Sequence, residues 1–362
     1  MSRFWSDHVA NLAPYVAGEQ PRLPNLLKLN ANENPYGPSP RALQAIRDAA
    51  NDTLKKYPDL QATALRSTIA AQHGIKPEQV FVGNGSDEIL AHIFNGLFRR
   101  AGKPLLLPDI TYSFYRTYCR LFEVPAELVP LDDALTIRVT DYTHPAVDPA
   151  GIIFANPNAP TGRALGLEAI RAIARAHPEL PVVVDEAYVD FGADSAVQLL
   201  AEHENIVVVH TLSKSRSLAG LRVGFAMASP EIIEGLNRIK DSFNSYPLDS
   251  LAQAGAIASL QDTEYFQRTC QAVIDEREKL TSELTALGFN VLPSLANFVF
   301  ASHPRYKAPD LQAALREQGV LVRHFNQPRI ANYLRISIGT PEECVRLVAA
   351  IRHALDTVPA AA

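Results

Sequence analysis

The stretch TLSKSRSLAGLR, Thr211–Arg222, decides how this chain is read. It continues NIVVVHT (205–211), a β-branched apolar run of the kind that forms strands covered on both faces. Lys214 therefore stands where a strand leaves the core, at the edge where clefts of open α/β sheets lie. Packing alone gives a lysine no reason to be there. Upstream, PVVVDEAY (181–188) reads as another buried strand that ends in Asp185 and Glu186, with Tyr188 close behind. The interval from Asp185 to Lys214 holds one helix-sized crossover and one strand, so the two strand ends can be neighbours at the carboxyl edge of one sheet. That juxtaposition has a specific use. A lysine forms a Schiff base with an aldehyde cofactor, and a carboxylate facing a pyridinium nitrogen keeps the ring an electron sink.

Working outward, QVFVGNGSDEIL (79–90) runs from a short strand through two glycines into Ser86, after which Ile89, Leu90, Ile93, Phe94 and Leu97 recur at helical spacing. Glycines allow a tight turn before a helix whose first N–H groups lack internal partners, which makes an anion site at Gly85, Ser86 and Asp87. The alternative is that Ser86 and the acidic first turn only cap the helix. LLLPDITYSFY (105–115) ends a strand and supplies Tyr112, an aromatic able either to lie on a flat ring or to fill the core. GIIFANPNAPTG (151–162) ends another buried strand. Residues 132 to 150 read as an irregular loop without chemistry.

With 362 residues and 47% hydrophobic content, the chain can bury a large core, and its length suggests two lobes. A net charge of −5, without clustered Lys or Arg, argues against a nucleic-acid surface. The N-terminus carries no signal-type apolar core, and no segment approaches the roughly 18 uninterrupted apolar residues of a membrane span. A cytoplasmic protein is expected, without nucleic-acid or membrane partners. Cys119, Cys270 and Cys344 are odd in number and lack CxxC spacing, so reduced structural thiols are expected and no metal site is offered.

Eight segments, in order, carry a resemblance: KLNANENPYGPSP (28–40), YPD (57–59), GNGSDEIL (83–90), TYSFY (111–115), NPNAPTG (156–162), DEAYVDF (185–191), TLSKSRSLAGLRVGF (211–225) and LRISIGT (334–340). Together the chain resembles the pyridoxal-phosphate enzymes of the aspartate aminotransferase fold, and within them the histidinol-phosphate aminotransferase branch. The resemblance implies fold type I: an α/β large domain with a mostly parallel seven-stranded sheet in an α/β/α sandwich, plus a smaller α+β C-terminal domain. The divisions expected are an arm at 1–40, a pyridoxal-phosphate-binding domain at 41–247 and a small domain at 248–362. Residues 230 to 261 read as helix, and a long amphipathic segment follows from about Thr263 to Leu287.

The resemblance further implies pyridoxal 5'-phosphate tethered by Lys214, with Asp185 on its ring nitrogen and Tyr188 at its ring hydroxyl. Gly85, Ser86, Asp87, Thr211, Ser213 and Arg222 would hold its phosphate, Tyr112 would lie on its ring, and Tyr57 would reach the phosphate of the other subunit of a homodimer. On the substrate side it implies Tyr15, Asn34, Arg335 for a carboxylate, and Arg323 as a candidate for a distal anion. One position departs from the family pattern NPNNPTG: Ala159 replaces the asparagine that bonds the ring hydroxyl, leaving Asn156, Asn158 or Tyr188 alone for that contact. The implied reaction transfers an amino group from histidinol phosphate to 2-oxoglutarate. Threonine-phosphate decarboxylation and aromatic transamination would use the same lysine and aspartate, and a non-catalytic ligand-binding scaffold is the reading from another class.

Overall fold

The structure, a computed structural model, describes residues 2–14, 19 and 25–360. Seven strands make the principal sheet, in the spatial order Val80–Asn84, Val223–Met227, Ile206–Thr211, Val182–Asp185, Gly151–Ala155, Leu105–Pro108, Ala126–Val129. Five neighbouring strands run parallel, and Val223–Met227 is antiparallel to both of its neighbours. The four strands from 105–108 to 206–211 are buried along their whole length. Continuous apolar runs are what a sheet covered by helices on both faces requires.

Strand alternation assigns the two layers. Val182, Val184 and Val208 face helices carrying Leu65, Ile69, Ile170 and Ile173. Val183, Val207 and Val209 face Ile89, Leu90, Tyr115 and Leu236 on the other side. Each fully buried aliphatic side chain here contributes about 1.5–3 kcal/mol of transfer free energy. The parallel register pairs Ala155 with Asp185 and Asp185 with Val209, so the strand end bearing Asp185 lies beside the one that leads to Lys214.

A second, antiparallel sheet has the order Arg323–His324, Tyr333–Ser337, Phe298–Ser302, Asn290–Val291. It packs on the helices Thr263–Ala286, Ala308–Glu317 and Pro341–Thr357 through Val273, Leu280, Leu311, Leu347 and Ile351. The N-terminal segment joins this lobe, since Leu27–Lys28 pairs in parallel with Val320–Leu321. No helix among the described residues is long and apolar enough to cross a membrane.

Two local expectations fail. Residues 230 to 261 form two helices, Pro230–Asp241 and Ser250–Gln261, rather than one. Asp249 caps the second helix by accepting from the Ala252 N–H, and Pro247 lies in the break. The stretch 132 to 150 contains a helix, Val139–Thr143, whose Tyr142 is wholly buried with Leu135 and Ile137 in the main core. Its polar composition concealed three inward apolar positions.

Candidate active site

Between the lobes lies a cavity of about 260 Å³ lined by Asn30, Ala31, Asn32, Thr111, Tyr112, Ser113, Ala159, Pro160, Tyr188, Lys214, Arg323, Phe325, Gln327 and Arg335. It gathers side chains from the N-terminal segment, from the carboxyl edge of the large sheet and from the small sheet. Lys214 sits in the turn after the Ile206–Thr211 strand, its Nζ 3.5 Å from the Ala31 carbonyl and 5.8 Å from the Tyr188 ring centre. Asn34 steadies this turn from the N-terminal segment, donating to the carbonyls of Lys214 and Ser215 at 3.0 and 3.3 Å.

Asp185 and Glu186 point to opposite sides, as consecutive residues leaving a strand do. The Asp185 carboxylate is 4% exposed and accepts from the Tyr115 hydroxyl at 2.7 Å and from the Ala187 N–H at 3.3 Å. Burial raises it to about 6, against the pull of those two donors. A carboxyl so balanced readily takes a cationic partner. Glu186 instead accepts from Ser195, from the Ala196 N–H and from His210, all at 2.6–2.8 Å, on the face away from the cavity. Burial alone would depress His210, but the Glu186 bond more than offsets it and the imidazole is raised. Glu186 is thus a buried structural anion.

The helix Gly85–Ile93 begins against the antiparallel strand Val223–Met227. A Cβ on Gly224 would lie 2.4 Å from the Ser86 nitrogen, and one on Gly85, whose φ is +75°, 2.5 Å from Arg222 Nη2. Only glycine permits this approach, which lays the first helical N–H groups beside a guanidinium. Ser86 does not cap the helix: the N-cap is Asn84, whose N–H donates to Glu88 at 2.6 Å. Asp87 pairs with Arg222 at 3.0 Å and accepts from the Tyr112 hydroxyl at 3.3 Å. Thr211 donates to Ser213 at 3.0 Å and accepts from its N–H at 3.1 Å, fixing the bend before the lysine. Tyr112 lines the cavity and stands edge-on to Tyr115 at 5.4 Å.

Asn156 and Asn158 are committed elsewhere. Asn156 clamps the backbone of Leu165 through both its amide atoms. Asn158 donates to the Ile110 carbonyl and to Thr161, and accepts from Thr111. Neither lines the cavity, whereas Ala159 and Tyr188 do. Tyr57 is 82% exposed and stacks on Tyr246 at 4.8 Å, apart from the cavity of its own chain. Tyr15 lies outside the described residues.

Arg323 and Arg335 are directly opposed across adjacent antiparallel strands and share the cavity. Phe325 lies near both, 5.6 Å from the Arg323 guanidinium and 5.4 Å from that of Arg335, and Arg335 donates to the Asn30 carbonyl at 3.1 Å. Like charges placed directly across a ladder are unfavourable unless an anion joins them.

Three residues of this site are not among the candidates read from the sequence, although each lies inside a quoted segment: Asn32 in KLNANENPYGPSP, Tyr115 in TYSFY and Ser337 in LRISIGT. Tyr115 sits on the inner face of the helix Phe114–Leu121, three residues after Tyr112.

An acid and a lysine at adjoining strand ends, a glycine-lined helix start with an arginine, and a flat aromatic wall fit a phosphorylated pyridine aldehyde. The comparisons agree. The family described as "Aminotransferase class I and II" matches residues 24–351, and the chain belongs to it. It is 58% identical over 352 residues, 97% of this chain and 99% of the relative, to "Histidinol-phosphate aminotransferase 1" of Bordetella parapertussis. It is 57% identical over 356 residues, 98% of this chain and all of the relative, to "Histidinol-phosphate aminotransferase" of Aromatoleum aromaticum. The fold matches the crystal structure of histidinol-phosphate aminotransferase from Sinorhizobium meliloti in complex with pyridoxal-5'-phosphate, with a TM-score of 0.85 at 24% identity, over 99% of both chains. The chain is a pyridoxal 5'-phosphate-dependent aminotransferase of fold type I.

Proposed function

We propose that this enzyme transfers the amino group of histidinol phosphate to 2-oxoglutarate, giving imidazole acetol phosphate and glutamate. The observation that carries the substrate is the opposed pair Arg323 and Arg335 in the cavity that holds Lys214. A phosphate on the donor, and the second carboxylate of the acceptor, match two guanidiniums that face one cavity. The names of the relatives support the same substrate.

The cofactor supplies an electron sink for charge developing at the substrate α-carbon. Lys214 would anchor it, and its amine would serve as the base and acid at the α-carbon. Asp185 holds a proton on the ring nitrogen, and Tyr115 keeps that carboxylate in place. Gly85, Ser86, Asp87, Thr211, Ser213 and Arg222 would hold its phosphate, Tyr112 would lie against its ring, and Tyr188 would donate to its ring hydroxyl. Asn34 positions the lysine turn. Arg335 takes the carboxylate of glutamate, and Arg323 the distal anion. Asn156 and Asn158 would take no part, because the amide of Asn156 serves the Leu165 backbone and that of Asn158 serves Ile110, Thr111 and Thr161.

The working unit we propose is a homodimer. Tyr57, Tyr246 and Phe243 are 82%, 41% and 79% exposed, with Leu54 and Leu60 also exposed nearby in sequence, an apolar surface suited to a second copy. A reducing, cytoplasmic setting fits three free, buried cysteines, with burial raising Cys119 to about 11 and Cys270 and Cys344 to about 12.

The test is a half-reaction screen in which histidinol phosphate, threonine phosphate and phenylalanine are each titrated against the visible band of the lysine-bound cofactor. Histidinol phosphate should bleach it at the lowest concentration. Arg323→Ala should raise that concentration about 10- to 100-fold, as loss of one charge-assisted hydrogen bond would, and leave phenylalanine unaffected. Bleaching by phenylalanine while histidinol phosphate leaves the band unchanged would overturn the assignment.

A further inference from the structure

We infer that Asn32 and Ser337 form a directional relay that obliges Tyr188 to present its proton to the cavity. This makes Asn32 a positioning residue for Tyr188, the donor that the site reading assigns to the cofactor's ring hydroxyl. The inference rests on the pyridoxal-phosphate reading of the site.

The direction follows from one group that cannot be reversed. The backbone N–H of Asn32 donates to Ser337 Oγ at 2.8 Å, so the serine oxygen is an acceptor there. Among the described residues the serine proton has one acceptor, Asn32 Oδ1, 3.1 Å away. An amide whose oxygen is occupied must turn its nitrogen outward, and Asn32 Nδ2 donates to the Tyr188 hydroxyl at 2.9 Å. Tyr188 is therefore an acceptor toward Asn32, and among the described residues no protein group receives its proton. The Tyr188 ring is held edge-on to Phe298 at 5.2 Å, and its side chain lines the cavity beside Lys214.

The relay is rigid. Asn32 is 1% exposed and Ser337 2% exposed, and the Asn32 carbonyl accepts from Asn297 at 2.9 Å. It spans the lobes, tying the N-terminal segment to the small sheet and to the turn that follows Asp185. Its weight is increased by Ala159, which brings a methyl where an amide donor could stand, and by the engagement of Asn156 and Asn158 elsewhere. A donor aimed at the ring oxygen withdraws charge from it. The basicity of the lysine nitrogen that shares a proton with that oxygen falls accordingly. The relay therefore sets the pH at which the resting enzyme changes colour.

The experiment is a spectrophotometric pH titration of the resting holoenzyme, without substrate, for wild type, Asn32→Asp, Ser337→Ala, Tyr188→Phe and the Asn32→Asp/Tyr188→Phe double variant. Asn32→Asp keeps the shape but replaces the donor by an acceptor that captures the tyrosine proton. Its midpoint should rise by about one pH unit, as expected for loss of one hydrogen bond. Ser337→Ala releases the amide to flip and should give a smaller rise in the same direction, which keeps the test available should Asn32→Asp fail to fold. Tyr188→Phe should rise as much as Asn32→Asp, and the double variant should add nothing to it. If Asn32→Asp shifts the midpoint equally in the Tyr188→Phe background, the new carboxylate acts through its charge and the relay is refuted. If Tyr188→Phe shifts the midpoint while Asn32→Asp and Ser337→Ala do not, the relay is also refuted. A wild-type protein with no visible band, or a band that persists in Lys214→Ala, would instead refute the underlying site assignment.

Discussion

Removing the Tyr115 hydroxyl tests whether that hydrogen bond holds down the titration of Asp185, which burial raises, before the cofactor arrives. Tyr115 is wholly buried and donates to Asp185 Oδ2 at 2.7 Å. A hydrogen bond to a charged group contributes about 1.5–3 kcal/mol, equivalent to about one to two pH units of carboxyl titration. Tyr115→Phe should therefore move Asp185 in the cofactor-free protein from about 6 to roughly 7–8. The sign of the stability effect follows from linkage. A carboxyl raised in the folded state binds more protons folded than unfolded, so its contribution is complete below the unfolded value and is lost as pH rises through the folded one. In Tyr115→Phe that loss continues to higher pH. The destabilisation relative to wild type, read from urea denaturation of the cofactor-free protein, should be about 1.5–3 kcal/mol larger at pH 8.5 than at pH 4.5. Other titrating groups cancel in the difference. A penalty equal at both pH values would show that the hydroxyl serves only packing, and the account of Asp185 would fail.

Gly224→Ala should destabilise the protein by about 1–3 kcal/mol and speed cofactor loss on dialysis, because the new methyl meets the Ser86 backbone; unchanged retention would remove the phosphate cradle from that location. Glu186→Ala should lose about 3–5 kcal/mol in chemical denaturation by leaving buried His210 without its anion, while the visible band titrates as in wild type. Tyr57→Ala should lower cofactor affinity and weaken self-association measured by sedimentation. A variant that associates normally and binds cofactor normally would separate Tyr57 from both roles.

The large sheet was legible because fully buried parallel strands must be continuous apolar runs, and NIVVVHT, PVVV and GIIFA announce themselves. Their adjacency followed from the short interval between Asp185 and Lys214. The helix break at 242–249 was hidden because a lone proline and an N-cap aspartate are weak marks inside a segment of helical composition. The short helix around Tyr142 escaped because its inward positions are scattered among polar ones. At the site, the groups legible in sequence are those proposed to meet a ligand, since charge or glycine stands where packing would not put it. The groups that brace them, Tyr115, Asn32 and Ser337, look like ordinary core residues. Only the three-dimensional path of hydrogen bonds distinguishes them. The opposition of Arg323 and Arg335 was equally hidden, because strand register is not written in either strand alone.

That opposition makes anion preference a property of alignment. Because alternate residues of a strand face opposite ways, a single-step slip of Arg323–His324 against Tyr333–Ser337 would carry one guanidinium out of the cleft and bring an imidazole in. An insertion or deletion in the loop joining them, which itself gives Phe325 and Gln327 to the cavity, is thus a route by which descendants of this scaffold could exchange an anionic substrate for an uncharged one without substituting either arginine.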